Sequence, residues 1–280
     1  MLRLLSIEFH KLKYNKASKT LSIIYFGLLI CIAFITDIKF EFGDFKLHLV
    51  DQGIFNFPYI WHFNTYVAAI LKFFLLLVIV SMMSDEYSYK TLKQNLIDGL
   101  SKKEFILSKF YTVIVFSITS TLFVFFISLT LGLVYSDYNE FSIIVTDLEY
   151  LIAFFIKLVG FFSMGLFFGI LVKRSAFAVG TMVVWFIGEG IFKGYLFWVY
   201  RAAESTSKSV DFIMQFLPGE AISNLIKQPF SRLGAVKTLA NSMGKTFDKS
   251  EVEFGAIFIV LVWTAIFIYL SYMLLKKRDL

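Results

Sequence analysis

Long apolar runs separated by short polar segments form the main pattern along this chain of 280 residues. The hydrocarbon core of a bilayer, about 30 Å thick, requires roughly 20 apolar residues of helix to cross it. No run shows the period-two alternation of a barrel strand, so helices are the expected spanning structure. We predict an all-α, polytopic membrane protein, a single domain over 1–280, with six spans. These spans cover about 20–38, 65–83, 110–135, 151–172, 175–199 and 254–275.

The composition indicates that lipid is the solvent for these runs. Hydrophobic residues make up 58% of the chain and charged residues 17%, whereas soluble domains carry about 25% charged residues. The single cysteine, Cys31, excludes an intrachain disulfide and a thiolate metal site. The first run has no small-residue cleavage site after it, so we expect it to remain as a span.

The distribution of charge predicts which side of the membrane each loop faces. Six spans place both termini on one side, together with 84–109 and 173–174. That side carries 15 Lys and Arg against 6 Asp and Glu, and the other side carries 10 against 14. The positive-inside rule makes the first side cytoplasmic. Topology therefore explains the basic pI, and we expect no nucleic-acid partner.

Residues 1–19 have the pattern of an interfacial amphipathic helix. Leu2, Leu5, Phe9 and Leu12 recur at helical spacing, with lysines around them. A plain basic flank to the first span is the alternative.

The charged segment 85–109 is predicted to begin with a short amphipathic helix. Tyr89, Leu92, Leu96 and Leu100 fall on one helical stripe, which suits either the bilayer surface or a groove on a cytosolic partner.

The same segment carries signals for a helix end and a new helix start. Gly99 is typical of a helix stop. Ser101 and Glu104 have the spacing of a capping box, with Ser101 as the N-cap of a helix that enters the third span.

This segment, between two apolar runs, resembles the intracellular coupling segment of ABC-2 type transporter permeases. The family pattern has an acidic-aromatic start, a Thr-Leu pair, a Leu-x-x-Gly-x-Ser/Thr motif and a basic residue before the next span. Lys90 replaces the small residue common before the Thr-Leu pair. The matching residues are Glu86, Thr91, Leu92, Leu96, Gly99, Ser101 and Lys109.

The resemblance implies a permease subunit of an ABC exporter in the bacterial cytoplasmic (inner) membrane. It implies that a separate cytosolic ATPase subunit, holding ATP and Mg²⁺, binds the coupling segment. A second permease subunit, in a homodimer or heterodimer, and membrane lipid are the other expected partners. The chain would be no enzyme and hold no cofactor. In this family a re-entrant element precedes the last span and caps the export path, which the resemblance assigns to about 200–230 within the outer loop 200–253.

The Phe-rich spans suggest an amphipathic cargo, such as a peptide antibiotic, drug or lipid. A non-transporting sensor or scaffold, with the 85–109 helix on the bilayer, is the alternative; an integral membrane enzyme has less support. Serine-nucleophile motifs are absent, and His10, His48 and His62 are dispersed, so no metal site is expected. The stretch LANSMGKT at 239–246 lacks the first glycine of a phosphate-binding loop.

Charged and small residues inside the spans are further candidates. Glu189 and Lys193 are an intramembrane polar pair whose i, i+4 spacing allows an ion pair. Lys72 and Lys157 lie near span ends, where snorkelling accommodates them. Gly165 and Gly169 form a G-x-x-x-G pattern that predicts close helix packing, within the subunit or in a dimer.

Overall fold

A computed structural model describes residues 2–34, 39–42, 45–48, 53–200, 206–232 and 251–278. The chain there is almost entirely helical. The helices are α1 (Leu2–Tyr14), α2 (Lys16–Phe34), α3 (Tyr59–Ser88), α4 (Thr91–Ile97), α5 (Lys102–Tyr135), α6 (Phe141–Val145), α7 (Glu149–Val172), α8 (Ser175–Tyr200), α9 (Thr206–Met214), α10 (Pro218–Asn224), a 3₁₀ turn (Pro229–Arg232) and α11 (Phe254–Lys276).

Five of the described helical segments are long and apolar enough to cross a membrane. They are Tyr59–Ser88, Lys102–Tyr135, Phe141–Val172 (α6 with α7), Ser175–Tyr200 and Phe254–Lys276. Each contains one of the predicted spans, so the last five are confirmed as helices of spanning length. The first predicted span, 20–38, overlaps α2, which packs against α3 and α5, and its last residues, 35–38, lie outside the described ranges.

The described chain is helical as predicted, with one pair of short β-strands as the exception. Strands β1 (Lys39–Phe42) and β2 (Phe45–His48) pair antiparallel, with Phe42 opposite Phe45. A four-residue strand is much too short to cross a bilayer. The sequence pattern of long apolar runs therefore gave no information about this small element in the first loop.

Helix α7 forms the centre of the bundle. It is buried along most of its length and packs against α3, α5, α8 and α11. Helices α8 and α11 instead expose most of their apolar residues. The surface they expose is the kind that lipid or another membrane subunit covers.

Both described ends of the chain lie at the end of the bundle where α4 is found, which we name the α4 end. Helix α1 contacts the start of α5 there, and Arg278 reaches Tyr87 at the end of α3. The α7–α8 connection is at the same end, where Ser84 Oγ donates to the Lys173 carbonyl.

Helices α6, α9 and α10 lie at the other end of the bundle, which we name the α10 end. The Tyr59 hydroxyl donates to the Pro229 carbonyl, and the Trp61 indole donates to the Ile144 carbonyl. The placement of α1, α4 and residues 276–278 at one end and of the outer-loop elements at the other matches the loop grouping expected from the charges.

Candidate functional site

Helix α4 is a short helix held between two sharp changes of chain direction. Lys90 precedes it with a left-handed conformation at φ 56°, and Gly99 follows it at φ 93°. The Leu100 amide donates to the Asn95 carbonyl, and the Gly99 amide donates to the Leu96 carbonyl. These two bonds form a Schellman motif, so the predicted stop at Gly99 is present with the geometry that favours glycine.

The capping box predicted at the start of α5 is also present. The Glu104 amide donates to Ser101 Oγ at 3.2 Å, and the Ser101 amide donates to Glu104 Oε2 at 2.9 Å. This arrangement satisfies two of the free N–H groups at the helix start. Together, the stop at Gly99 and the start at Ser101 separate α4 from α5.

The apolar stripe predicted along 85–109 divides between the interior and the surface. Leu92 is 2% exposed, and Leu96 and Leu100 are half-buried against the same core. Tyr89 is 75% exposed, because α3 continues to Ser88 and Tyr89 is not part of the helix that carries Leu92. The leucines therefore fix α4 to its own chain.

The outward surface of α4 and its flanks carries a small mixed patch. Tyr89 and Ile97 are 75% and 68% exposed, and Lys93 lies between them along the chain and is also exposed. We name Tyr89, Lys93 and Ile97 the α4 surface patch. Aromatic side chains such as Tyr89 are enriched in protein-binding surfaces, and a lysine is more common at their polar rim.

A buried charge cluster lies directly beneath α4. Lys109 at the start of α5 has no exposed surface, and its ammonium group contacts Glu8 Oε2 at 2.6 Å and Glu86 Oε1 at 2.5 Å. Lys11 adds a second cation at 2.7 Å from Glu86 Oε1. We name Glu8, Lys11, Glu86 and Lys109 the Lys109 cluster. Its two carboxylates face two ammonium groups, of which that of Lys109 is fully buried and that of Lys11 is one-third exposed.

Polar side chains connect this cluster to α4 itself. The Thr91 hydroxyl donates to Glu86 Oε2 at 2.6 Å, and the Asn95 amide donates to the same oxygen at 3.3 Å. Next to the cluster, the Asn15 amide donates to Asp85 Oδ2 at 2.6 Å. Glu86 therefore joins α1, α3, α4 and α5 through one carboxylate.

Three of the residues that matched the family pattern meet in this network. Glu86 accepts hydrogen bonds both from Thr91, five residues further along the chain, and from Lys109, 23 residues further along. The sequence interpretation missed Glu8, which lies within the predicted interfacial helix 1–19. Glu8 is the only acid among residues 1–19, and an isolated acid in a basic, amphipathic segment was the available signal.

Aromatic and basic groups at the α4 end also hold the ends of α3, α7 and α11 together. Arg278 Nη1 donates to the Tyr87 hydroxyl at 2.8 Å and to the Ile170 carbonyl at 2.6 Å. Its second nitrogen, Nη2, donates to the Leu171 carbonyl at 3.0 Å. A cation at the carboxyl end of a helix satisfies free carbonyls and complements the helix dipole. The end of α11 is thus attached to the end of α7.

At the α10 end, Glu189 accepts hydrogen bonds from the start of α10. Its carboxylate oxygens accept from the Gly219 amide at 3.0 Å and the Glu220 amide at 2.9 Å. The Trp185 indole also donates to Glu189 at 2.6 Å. The residue before α10, Leu217, has no side chain that can cap the helix. Glu189 supplies that cap from α8, and a negative charge is favourable at a helix N-terminus.

The structure corrects the expected pairing of Glu189 with Lys193. Lys193 Nζ contacts Glu220 Oε1 at 2.6 Å and lies 4.0 Å from Asp211. The two intramembrane candidates therefore form separate contacts with the same outer segment. Residue spacing along α8 allowed a local pair, but the free amides at the start of α10 provide Glu189 with better partners.

Buried polar side chains attach the rest of the outer segment to the bundle. Lys157 donates to the Ser223 carbonyl at 3.0 Å and is buried, so it does not snorkel as expected. The Trp263 indole donates to the Phe216 carbonyl at 2.8 Å, and His62 Nε2 contacts the Lys227 carbonyl at 2.8 Å. Helices α3, α7, α8 and α11 therefore all hold the segment 216–229.

The G-x-x-x-G pattern on α7 lies against α3 of the same chain. A Cβ atom added at Gly165 would overlap Leu76 Cδ1, and one added at Gly169 would lie 3.2 Å from Met83 Cβ. Small residues here allow the two helices to approach closely.

The remaining chemical candidates give no site in the described part of the chain. Within the residues that the structure describes, no group of three His, Cys, Asp or Glu side chains is placed to hold a metal ion. The stretch 239–246 lies outside these residues.

These features define a multi-pass membrane protein in which a short connecting helix, α4, is joined to the bundle by buried charges. The chain matches the family model described as ABC-2 family transporter protein over residues 4–189. The match covers more than half of the chain, and the chain belongs to this family. No curated protein matches it. Members of the family are membrane components of transporters that normally work with an ATPase subunit.

Proposed function

We propose that this chain is the permease subunit of an ATP-driven exporter and that its α4 surface patch binds the ATPase subunit. The family membership supports a transport role, and the position of α4 supports the docking surface. The observation that carries the proposal is that Leu92 anchors α4 to the bundle, whereas Ile97 on α4 and Tyr89 just before α4 are exposed. A groove on the partner would accept the two apolar groups, and Lys93 would fix their orientation.

In this proposal α2 also crosses the membrane, which makes it the first of six spans. The α4 end faces the cytoplasm of a bacterium. The basic character of the loops at this end supports that orientation. ATP and Mg²⁺ would be held by the partner ATPase alone. The proposed cargo is amphipathic, because the spans are apolar and rich in phenylalanine.

The Lys109 cluster is proposed to transmit force from the ATPase to the spans. A load applied to α4 reaches Glu86 through Thr91 and Asn95, and then α1 and α5 through Lys109. Work is transmitted only if the ATPase contacts α4 differently in its two nucleotide states. The segment α9–α10 is proposed to close the export path at the outer face, and a second permease subunit, alike or related, to complete the path.

Co-purification of the chain with its Walker-motif ATPase subunit in detergent tests the docking surface. We expect the double variant Tyr89→Ala with Ile97→Ala to lower the recovered ATPase about tenfold or more, because central apolar contacts dominate such interfaces. Ile191→Ala is the matched control, since Ile191 is equally exposed but lies on the spanning helix α8.

Leu92→Ala is a poor test of docking because Leu92 is buried. Removing a buried leucine side chain costs about 2–5 kcal/mol of stability, so lost binding would not identify a contact. If the ATPase is recovered equally with the double variant and the native chain, the α4 surface patch is not the docking site. If no ATPase is recovered with the native chain either, a non-transporting sensor or scaffold becomes the better explanation.

A further inference from the structure

A long apolar groove runs along the outside of the bundle between α5 and α11. Its volume is about 640 Å³, and it is lined at one end by Lys103 and Tyr272 and at the other by Phe110 and Leu261. Ala265 is exposed in the groove wall, where a small side chain leaves space. The groove opens sideways, toward the region that lipid occupies around a membrane protein.

The α11 wall of the groove is about as long as one leaflet of a bilayer, and the α5 wall, Lys103–Phe110, is about 10 Å long. Leu261 and Tyr272 are separated by eleven residues of α11, which corresponds to about 16 Å of helix. Half of a hydrocarbon core of about 30 Å is of the same length. A chain of lipid that entered at the Lys103 end would therefore reach the middle of the membrane.

The positive charge at the mouth of the groove favours a lipid with an anionic head group. Lys103 is the only charged side chain that lines it, and none of the lining residues is acidic. Lys102 donates to the Lys276 and Arg278 carbonyls, which places the basic end of α11 beside the same mouth. Clusters of Lys and Arg at the membrane surface attract anionic lipids.

We propose that this groove is a binding site for one anionic glycerophospholipid. An acyl chain lies along α5 and α11 past Ala265, and the phosphate contacts the ammonium group of Lys103. The tyrosine at the mouth, Tyr272, is at the depth where amphipathic rings commonly lie in membranes. None of the residues that line the groove belongs to the α4 surface patch, so this proposal and ATPase docking can fail separately.

Native mass spectrometry of the full chain, released from detergent with added phosphatidylglycerol or phosphatidylcholine, tests the site. We expect one phosphatidylglycerol to stay bound under collisional activation that removes phosphatidylcholine. Lys103→Gln should reduce the retained phosphatidylglycerol several-fold, and Ala265→Phe should reduce it similarly by filling the groove. Lys93→Gln makes the same change of charge on α4 and should leave retention unchanged.

The variants separate this proposal from general lipid coating. Ala265 is exposed, so a larger side chain there should leave the melting temperature near that of the native chain, and Ala265→Leu provides a milder filling with an intermediate effect. Retention that is equal in the native chain, Ala265→Phe and Ala265→Leu would overturn the groove assignment. Retention unaffected by Lys103→Gln would overturn the head-group assignment. If Ala265→Phe instead dissociates an oligomer and leaves lipid retention unchanged, a second copy of the chain occupies the groove and the lipid proposal fails.

Discussion

Lys109 is the residue on which the charge balance beneath α4 depends. Its ammonium group is fully buried and contacts two carboxylates from different helices. A buried pair of this kind contributes little net stability relative to apolar residues, but removal of one partner leaves an uncompensated charge. The cluster therefore specifies how α1, α3 and α5 meet more than it adds to the total free energy of unfolding.

Replacement of Lys109 by methionine should destabilise the protein by about 3–5 kcal/mol, because Glu8 then has no cation partner. Glu86 keeps Lys11. Adding Glu8→Gln to Lys109→Met should restore part of the loss, whereas Glu8→Gln alone should cost less than Lys109→Met. Thermal unfolding in detergent measures all three variants.

Lys93→Met is the control for the loss of a lysine, since Lys93 is exposed. A melting temperature for Lys109→Met equal to that of the control would contradict the role of the cluster. The absence of any rescue by Glu8→Gln would show that Glu8 and Lys109 are not energetically coupled.

At the scale of elements, residue patterns predicted where helices begin and end better than which side chains contact each other. Gly99 and Ser101 carry local signals, because a left-handed turn and a side-chain cap depend on neighbours in sequence. Tyr89 was wrongly assigned to the same helical stripe as Leu92 because no Gly or Pro marks the break between α3 and α4, where Lys90 adopts the left-handed conformation. The pairing of Glu86 with Lys109 as part of a larger cluster required tertiary structure.

The contact between α8 and α10 shows the same limit. An i, i+4 spacing predicts a local pair, but it contains no information about the free amides of a helix that packs nearby. Glu189 binds those amides, and Lys193 binds Glu220.

Substitution of Gly219 by alanine tests how closely α10 fits against α8. A Cβ atom at this position would lie 2.5 Å from Glu189 Oε2 and 2.7 Å from the Phe186 ring. We expect a loss of about 1–3 kcal/mol in the free energy of unfolding, because overpacked sites must shift their neighbours. Thermal unfolding measures the loss.

Gly190→Ala is the matched control on α8, where an added Cβ atom meets nothing within 4 Å. It should be neutral or slightly stabilising, since alanine favours helix over glycine. Equal melting temperatures for Gly219→Ala and the native chain would show that α10 does not dock against α8 as described.

At the scale of the whole molecule, hydropathy predicted the spanning helices well because bilayer thickness fixes their length. The five described segments of spanning length all contain predicted spans. Hydropathy could not predict the paired strands β1 and β2 or the packing of α9 and α10 against the bundle, because both depend on contacts rather than on segment length. The residues 233–250 lie outside the described ranges, so the interpretation of that part of the outer loop stays a prediction.

Cysteine labelling tests the proposed orientation of the molecule. Replacing Cys31, the only native cysteine, with serine removes background labelling. Lys93→Cys at the α4 end should then react with a membrane-impermeant maleimide only in inverted vesicles, and Ser142→Cys at the α10 end only in intact cells. Both positions are exposed. Reaction of Lys93→Cys in intact cells would show that the α4 end faces outward, and ATPase docking at α4 would then be impossible.

The two attachments of α8 have a consequence for any movement of this helix. At its start, the Ser175 amide donates to Ser84 Oγ on α3, and near its other end Glu189 holds the first turn of α10. A tilt or axial rotation of α8 must therefore carry α10 with it or break the bonds to Glu189. A displacement that begins beside the α7–α8 connection would in this way reposition α10 at the opposite end of the bundle, and it would also load the hydrogen bond from Lys157 on α7 to the Ser223 carbonyl.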